Sequence, residues 1–352
     1  MKSDTRRSME VSNKGFTYDF NNERRGIALL IHNEVFDKYS GYKDRPGDGG
    51  DFIRMQEIFT KLGFDVDAKR NLTGRKIFST IQKVSESKIH EKSDCFVCVI
   101  ASHGEEMQIE TKHNVIIKEH VIVGTDGQCV KTRDIVEMFN EDYCEGLKDK
   151  PKLFFIQACR TSNATVLGMD SGHTLTITER KQPQGGMFDG VEDMQVDSKI
   201  TDNVDSNYVS TNENQKSNNE NSQCEDNLDT RHVSTAETYL SRRQLVHQVT
   251  DVECPEDTLL MFASLSNNFA VRNSSAGGWL LNSLYSQIKE YIETGKICST
   301  EFTQILNGAL KEMTTKNFKP SDITSRLYGA FSPGCFTHCL SRDVLFLEKQ
   351  YK

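Results

Sequence analysis

Long apolar runs are missing from this chain. No stretch of its 352 residues approaches the roughly 18 apolar positions that a membrane-spanning helix needs. The opening Met1-Lys-Ser-Asp-Thr-Arg-Arg lacks the apolar core of a signal peptide. An excess of basic charge is missing too, since 43 Lys and Arg stand against 51 Asp and Glu, a formal net charge of -8. General nucleic-acid binding needs a positive surface, so neither nucleic acid nor membrane is expected as a partner. Cysteine is thinly spread: ten in so long a chain do not match a small disulfide-stapled domain. A reducing cytoplasm is the simplest compartment for them. Metal-ligand spacing is also lacking. Cys95 and Cys98 sit three apart in an apolar strand and so point to opposite faces. Cys335 and Cys339 share a face, but two thiols do not close a zinc site. The loop Arg45-Pro-Gly-Asp-Gly-Gly-Asp51 has neither a Gly-Lys-Ser/Thr ending nor Gly-x-Gly-x-x-Gly spacing, which sets aside a phosphate cradle. No cofactor, metal or internal repeat is expected.

What is present alternates between buried strands and amphipathic helices, in a chain long enough for one large domain or two. Residues 1 to 23 are polar and are expected to be loose. Arg25 to Ile31 reads as a buried strand. Phe52, Met55, Phe59 and Leu62 then recur at helical spacing. Gly63 to Val66 begins a second strand. Thr73 follows as the N-cap of a helix with Ile77, Ile81 and Val84 on one face. Asp94 to Ala101 is a third strand, stopping at Ser102-His103-Gly104. Val115 to Ile117 and Val121 to Val123 read as small ribbon strands, and Thr132 to Phe139 as a helix. Lys152-Leu-Phe-Phe-Ile-Gln-Ala-Cys-Arg160 contains the next strand. From Thr161 to about Thr250 periodicity fades, and residues 201 to 230 hold eight Asn with few apolar side chains. Such a segment cannot offset the entropy of ordering itself, so it is expected to be a flexible insert. Order resumes with a strand at Thr258 to Ser264 and helices marked by Leu280, Leu284, Ile288 and Ile292 and by Phe302, Ile305, Leu306 and Leu310. Arg342 to Leu347 reads as a final strand. Strand–helix alternation of this kind predicts an α/β fold with an open, mostly parallel sheet covered on both faces.

Two of these strands end in reactive residues. His103 follows one and Cys159 the other, and strand ends in a parallel sheet lie at one edge. A base beside a thiol raises its thiolate fraction, and the thiolate is the nucleophile. The N–H groups of Gly104 and Cys159 could form an oxyanion hole. The blander reading is that Cys159 is a small buried hydrophobe, as most free cysteines are.

These residues resemble the caspases, a family of aspartate-directed cysteine proteases. Gln157-Ala-Cys-Arg160 matches four positions of the family's pentapeptide, with His103 lying 56 residues before Cys159. The likeness continues in Arg25 to Ile31, Asp94 to Ile100, Ser102 to Gly104, Pro151 to Phe155 and Gly277-Gly-Trp279. It covers nearly the whole chain apart from the insert. The resemblance implies a three-layer fold around a six-stranded sheet, with Cys159 as nucleophile, His103 as base and Gly104 at the oxyanion. It implies an aspartate pocket built by Arg45, Gln157 and Arg272. Arginine forks and a glutamine amide suit a carboxylate. Three features depart from the family. Thr161 stands where the pentapeptide usually ends in glycine. Ala270 and Val271 replace a serine and an aromatic residue, leaving the neighbouring P2 subsite, at Val271, less aromatic. Leu265 to Phe269 also differs. These departures keep open a catalytically inactive caspase-like regulator that binds other caspases, beside an unrelated α/β enzyme.

The same resemblance implies a zymogen divided into a short propeptide (1–23), a large-subunit region (24–197), a flexible linker (198–250) and a small-subunit region (251–352). Asp197, Asp205 and Asp229, each ending an acidic tetrapeptide or one like it, are candidate processing sites. The short leading segment favours an effector type acting in apoptosis. Its substrates would carry aspartate before the scissile bond, often in Asp-x-x-Asp. The implied partners are a second copy, joined through the final strand near Arg342 to Leu347, an upstream caspase and inhibitor proteins.

Overall fold

A continuously apolar strand is stable inside a sheet only when both of its faces are covered. The computed structural model describes residues 16–46, 48–110, 116–161, 194–196, 249–250, 254–273, 277–316 and 332–349. In chain order the elements are β1 (Ile27–His32), α1 (Asp48–Lys61), β2 (Asp65–Arg70), α2 (Gly74–Ser85), β3 (Phe96–Ala101), β4 (Gly104–Glu110), β5 (Ile116–Val123), β6 (Cys129–Lys131) and α3 (Thr132–Glu137). They continue as β7 (Lys152–Gln157), β8 (Met194–Val196), β9 (Val249–Thr250), β10 (Thr258–Phe262), β11 (Val271–Asn273), β12 (Gly277–Gly278), α4 (Trp279–Glu293), α5 (Phe302–Thr314) and β13 (Cys335–His338).

The expected α/β architecture is present. Six strands form one sheet in the order β13-β10-β7-β3-β1-β2. The first five in sequence pair in parallel, and β13 alone runs antiparallel, against β10. Side-chain alternation splits the core. On one face Ala28, Leu30, Val97, Val99 and Phe155 pack with Met55, Phe59, Leu284 and Ile305 of α1, α4 and α5. On the other, Leu29, Ile31, Phe96, Ile100 and Phe154 pack with Ile77, Ile81 and Ile135 of α2 and α3. Cys95 belongs to the first core and Cys98 to the second, so this pair cannot grip one ion. Thr73 caps α2 as expected, its hydroxyl accepting from Lys76 N at 3.3 Å. No helix of the described residues is long and apolar enough to cross a membrane.

Three expectations are corrected. The two ribbon strands near residues 115 and 121 belong to one strand, β5, which pairs antiparallel with β4 and β6. Strand β4 carries no strand signature in sequence because Glu105, Glu106 and Gln108 break the apolar pattern. The segment Arg342 to Leu347 is not a sheet strand, and the sheet ends at β13 instead. Val344 and Phe346 are buried, but against the helical layer: Phe302 N donates to Val344 O at 2.9 Å. The Phe346 ring meets Phe302, Phe20 and Phe64 edge-on at 4.8, 5.6 and 5.9 Å. Residues 16 to 23 are not loose, since Tyr18 and Phe20 are buried and the Tyr18 hydroxyl donates to Asp257. Finally, the expected insert holds two short paired strands among the described residues. Strand β8 pairs with β11, and β9, the last two residues of the expected linker, pairs with β5. The rest of the insert, including Asp197, Asp205 and Asp229, lies outside the described residues.

Candidate active site

Strands β3 and β7 are parallel neighbours with Ala101 opposite Gln157, and Ser102 N donates to Gln157 O at 3.2 Å. Both chains therefore leave the sheet side by side, and His103 and Cys159 each lie two residues beyond their strand. Gly104 brings the two exits into contact. A Cβ there would lie 2.8 Å from Ala158 Cβ, 2.9 Å from Cys159 O and 3.1 Å from His120 Nε2. No larger residue permits that approach.

His103 is buried between the rings of Phe36 and Tyr42, at centroid distances of 4.8 and 5.2 Å. Its Nε2 lies 2.8 Å from Lys43 O. A carbonyl can only accept, so Nε2 carries the proton, and in the neutral ring Nδ1 is the basic nitrogen. Cys159 is buried, and Ala270 N donates to its Sγ at 3.3 Å. The Cys159 carbonyl accepts from His120 Nε2 at 3.1 Å, while His120 Nδ1 lies 2.7 Å from the Thr132 hydroxyl. Burial, and after it the charge of Arg160, pushes the His120 imidazole down to about 3, so this ring is neutral at physiological pH.

Behind the thiol, Arg160 makes a buried ion pair with Glu106 at 2.8 Å. The other Glu106 oxygen accepts from the Ser266 hydroxyl at 2.7 Å and from Asn267 N at 3.2 Å. The loop after Cys159 is thus tied to the loop that leads into Ala270 and Arg272. Thr161 completes the tie, its carbonyl accepting from Glu106 N at 2.9 Å. Thr161 is not among the described residues with positive φ, so this turn does not call for glycine.

Contacts link the separate segments that carry the three residues of the expected aspartate pocket. Arg45 is fully buried, with a guanidinium nitrogen donating to Asn33 O at 2.8 Å. Arg272, also buried, donates to the carbonyl of Pro46, the residue after Arg45. On β11 Arg272 lies opposite Gly278 of β12, and a Cβ on Gly278 would sit 2.5 Å from Gln157 Cδ. The Gln157 side chain therefore lies flat on the backbone beside Arg272. Its amide nitrogen and oxygen are buried without a hydrogen-bond partner. Asp51, at the start of α1, holds β12 in place by accepting from Gly278 N at 2.5 Å. Val271 is buried next to the pocket arginine.

Several of these residues carry no readable signal in sequence. Lys43 contributes only its carbonyl, which every residue type has. His120 and Glu106 lie on strands and would ordinarily face solvent. Asp51 was visible only as one charge in a glycine-rich loop.

A sheet edge that presents a thiol and an imidazole on adjacent strand exits, beside buried guanidiniums, is the framework of an α/β cysteine hydrolase. Residues 25–332 match the caspase-domain family, peptidase C14, and the chain belongs to the caspase family of cysteine proteases. It is similar to caspase-3 of Felis catus, 24% identical over 330 residues covering 94% of this chain and 87% of that protein. It is 34% identical to caspase-3 of Mesocricetus auratus over 168 residues, 47% of this chain and 55% of that one. With caspase-3 of Mus musculus the identity is 37% over 144 residues, 41% and 47% of the two chains.

Proposed function

We propose that this chain is an active endopeptidase of effector type that cleaves peptide bonds after aspartate. The observation that carries this reading is the unpartnered buried amide of Gln157, packed against Gly278 opposite Arg272, whose guanidinium donates to Pro46 beside the buried Arg45. That amide lies two residues before Cys159. A substrate carboxylate entering there would accept from Gln157 and from both arginine forks. A neutral side chain would leave the buried amide unsatisfied, which is a basis for strong discrimination.

In the proposed reaction His103 Nδ1 takes the Cys159 proton, and the sulfur attacks the carbonyl carbon after the substrate aspartate. The tetrahedral oxyanion is received by the N–H groups of Gly104 and Cys159. Strand alternation supports the first donor. Val123 N bonds to His103 O, so the Gly104 N–H faces away from β5, on the side where Glu106 N meets Thr161 O. The imidazolium then protonates the leaving amine, and water hydrolyses the thioester. No step needs a metal or cofactor.

The rest of the reading follows the family. The chain is a zymogen processed at Asp197, Asp205 or Asp229 into large and small subunits, with a role in apoptosis and cytoplasmic substrates of Asp-x-x-Asp type. It dimerises through the small subunit, with upstream caspases and inhibitor proteins as further partners. The edge strand available for that dimer is β13, not residues 342 to 347.

The test is cleavage of an Asp-x-x-Asp fluorogenic peptide by the purified, processed chain. Activity is expected, with loss in Cys159→Ala and none toward the matching Asn peptide. A processed, dimeric sample that cleaves neither peptide would replace this reading with the inactive, caspase-binding regulator.

A further inference from the structure

Away from the candidate active site, two thiols sit side by side at the outer end of the sheet. Cys254 and Cys339 meet on one carbonyl, that of Thr258. Cys254 Sγ lies 3.3 Å from Thr258 O and 3.9 Å from Thr337 O. The Thr258 carbonyl also accepts from Cys339 N at 2.9 Å, and Asp257 N donates to Cys339 O at 3.0 Å. Both cysteines therefore frame one rung of the β10–β13 ladder, and the backbone bonds of that rung hold them in place. Disulfides form only between cysteines already placed close together, and these two share the carbonyl of Thr258. Cys339 is exposed and Cys254 half-buried, so an oxidant in solvent reaches the first directly.

We propose that Cys254 and Cys339 form a reversible disulfide, made by exchange with a glutathione-type disulfide. It staples the segment entering the small-subunit region to the end of the sheet's edge strand. In the first step the Cys339 thiolate attacks the glutathione disulfide, forming a mixed disulfide and releasing one glutathione thiolate. In the second, Cys254 loses its proton to water and attacks Cys339 Sγ, expelling the second glutathione. Two protein thiols are oxidised and one glutathione disulfide is reduced to two thiols. Burial foremost, and then the neighbouring Cys339, push the Cys254 thiol up to about 12. Capping Cys339 as a mixed disulfide removes the charge it contributes and eases the second step.

The staple closes a loop containing β10, β11, β12, α4, α5 and β13. Such a loop constrains the unfolded chain and stabilises the folded one. If the linker is cut as proposed above, the staple also secures the new start of the small subunit, but the pairing of the two thiols does not depend on peptidase activity.

The experiment equilibrates the full chain in buffers of increasing oxidised-to-reduced glutathione ratio. Remaining thiols are blocked by alkylation, and unreduced digests are mapped by mass spectrometry. The expected result is one cross-linked peptide pair joining Cys254 to Cys339, two hydrogens lighter than the dithiol and reversed by dithiothreitol. The oxidised protein should melt higher than the reduced one, a shift absent from Cys254→Ser and Cys339→Ser. Cys254→Ser should stop at glutathionylated Cys339, and Cys339→Ser, altered at an exposed site, should give neither product. The proposal is overturned if both thiols alkylate freely at every ratio. It is equally overturned if the unsubstituted chain stops at the mixed disulfide, or if Cys339 links to Cys339 of a second copy.

Discussion

Gln157 keeps a buried amide without a hydrogen-bond partner, an arrangement that lowers stability by about 1–3 kcal/mol. Folding alone gives no reason to keep it. Gln157→Met, close in shape and apolar, should hold or raise the melting temperature while lowering kcat/KM for an aspartyl peptide by about tenfold or more. A parallel loss of stability and activity would show that the amide serves packing instead. His120 poses a different question, because its ring is kept neutral beside the Cys159 carbonyl. Its folded value lies below its ordinary 6.5, so it contributes stability above that pH, and the contribution is lost as pH falls toward 3. In that window the unfolded chain binds a proton that the folded chain refuses. His120→Gln should therefore narrow its stability deficit against the unsubstituted protein by roughly 3 kcal/mol between neutral pH and about pH 4. Denaturant titrations at several pH values would measure this, and parallel curves would refute it.

At the scale of elements, the segment after β13 shows how an alternating apolar pattern can mislead. Val344 and Phe346 are buried, as alternate residues of a strand would be. The segment nevertheless lies across α5 and the residues before β1. Tyr18 N donates to Asp343 O at 3.0 Å at one end, while Arg25 donates to Leu347 O and Lys349 reaches Asp94 at 2.6 Å at the other, so both ends are clamped by polar contacts. Periodicity reports which side chains are buried, not which backbone groups pair. Phe346→Ala should destabilise the protein by about 3–5 kcal/mol, seen as a lower thermal midpoint, because three aromatic edges lose their partner. A change below 1 kcal/mol (about the size of a surface substitution) would mean the segment is dispensable. The helices were more legible: the Thr73 cap and the stripe of α2 follow local rules that neighbouring residues state in full.

For the whole molecule, β13 is one edge of the sheet. Cys339 turns its N–H and carbonyl toward β10, so alternation turns those of Phe336 and His338 outward. An edge of this kind is a template for another strand unless something covers it. If the proposed dimer forms there, His338→Pro removes an outward donor without touching the β10 ladder. Sedimentation should then show a monomer with unchanged circular dichroism, and a persistent dimer would place the interface elsewhere.

Composition and pattern alone determined a good deal: the α/β class, the apolar strands, and the residue types that make Cys159 and His103 candidates for chemistry, while the arginine–glutamine set was implied by the resemblance to caspases. Those signals are local, because each strand or helix announces itself through its own few residues. Only the tertiary structure decided which strand exits are neighbours, and why Gly104 must be glycine. It also showed that Thr161 sits in a turn with no need of one, and that Glu106, His120 and Asp51 support the site. Each of those outcomes depends on contacts between segments far apart in the chain, whose energies add up only once the sheet has assembled.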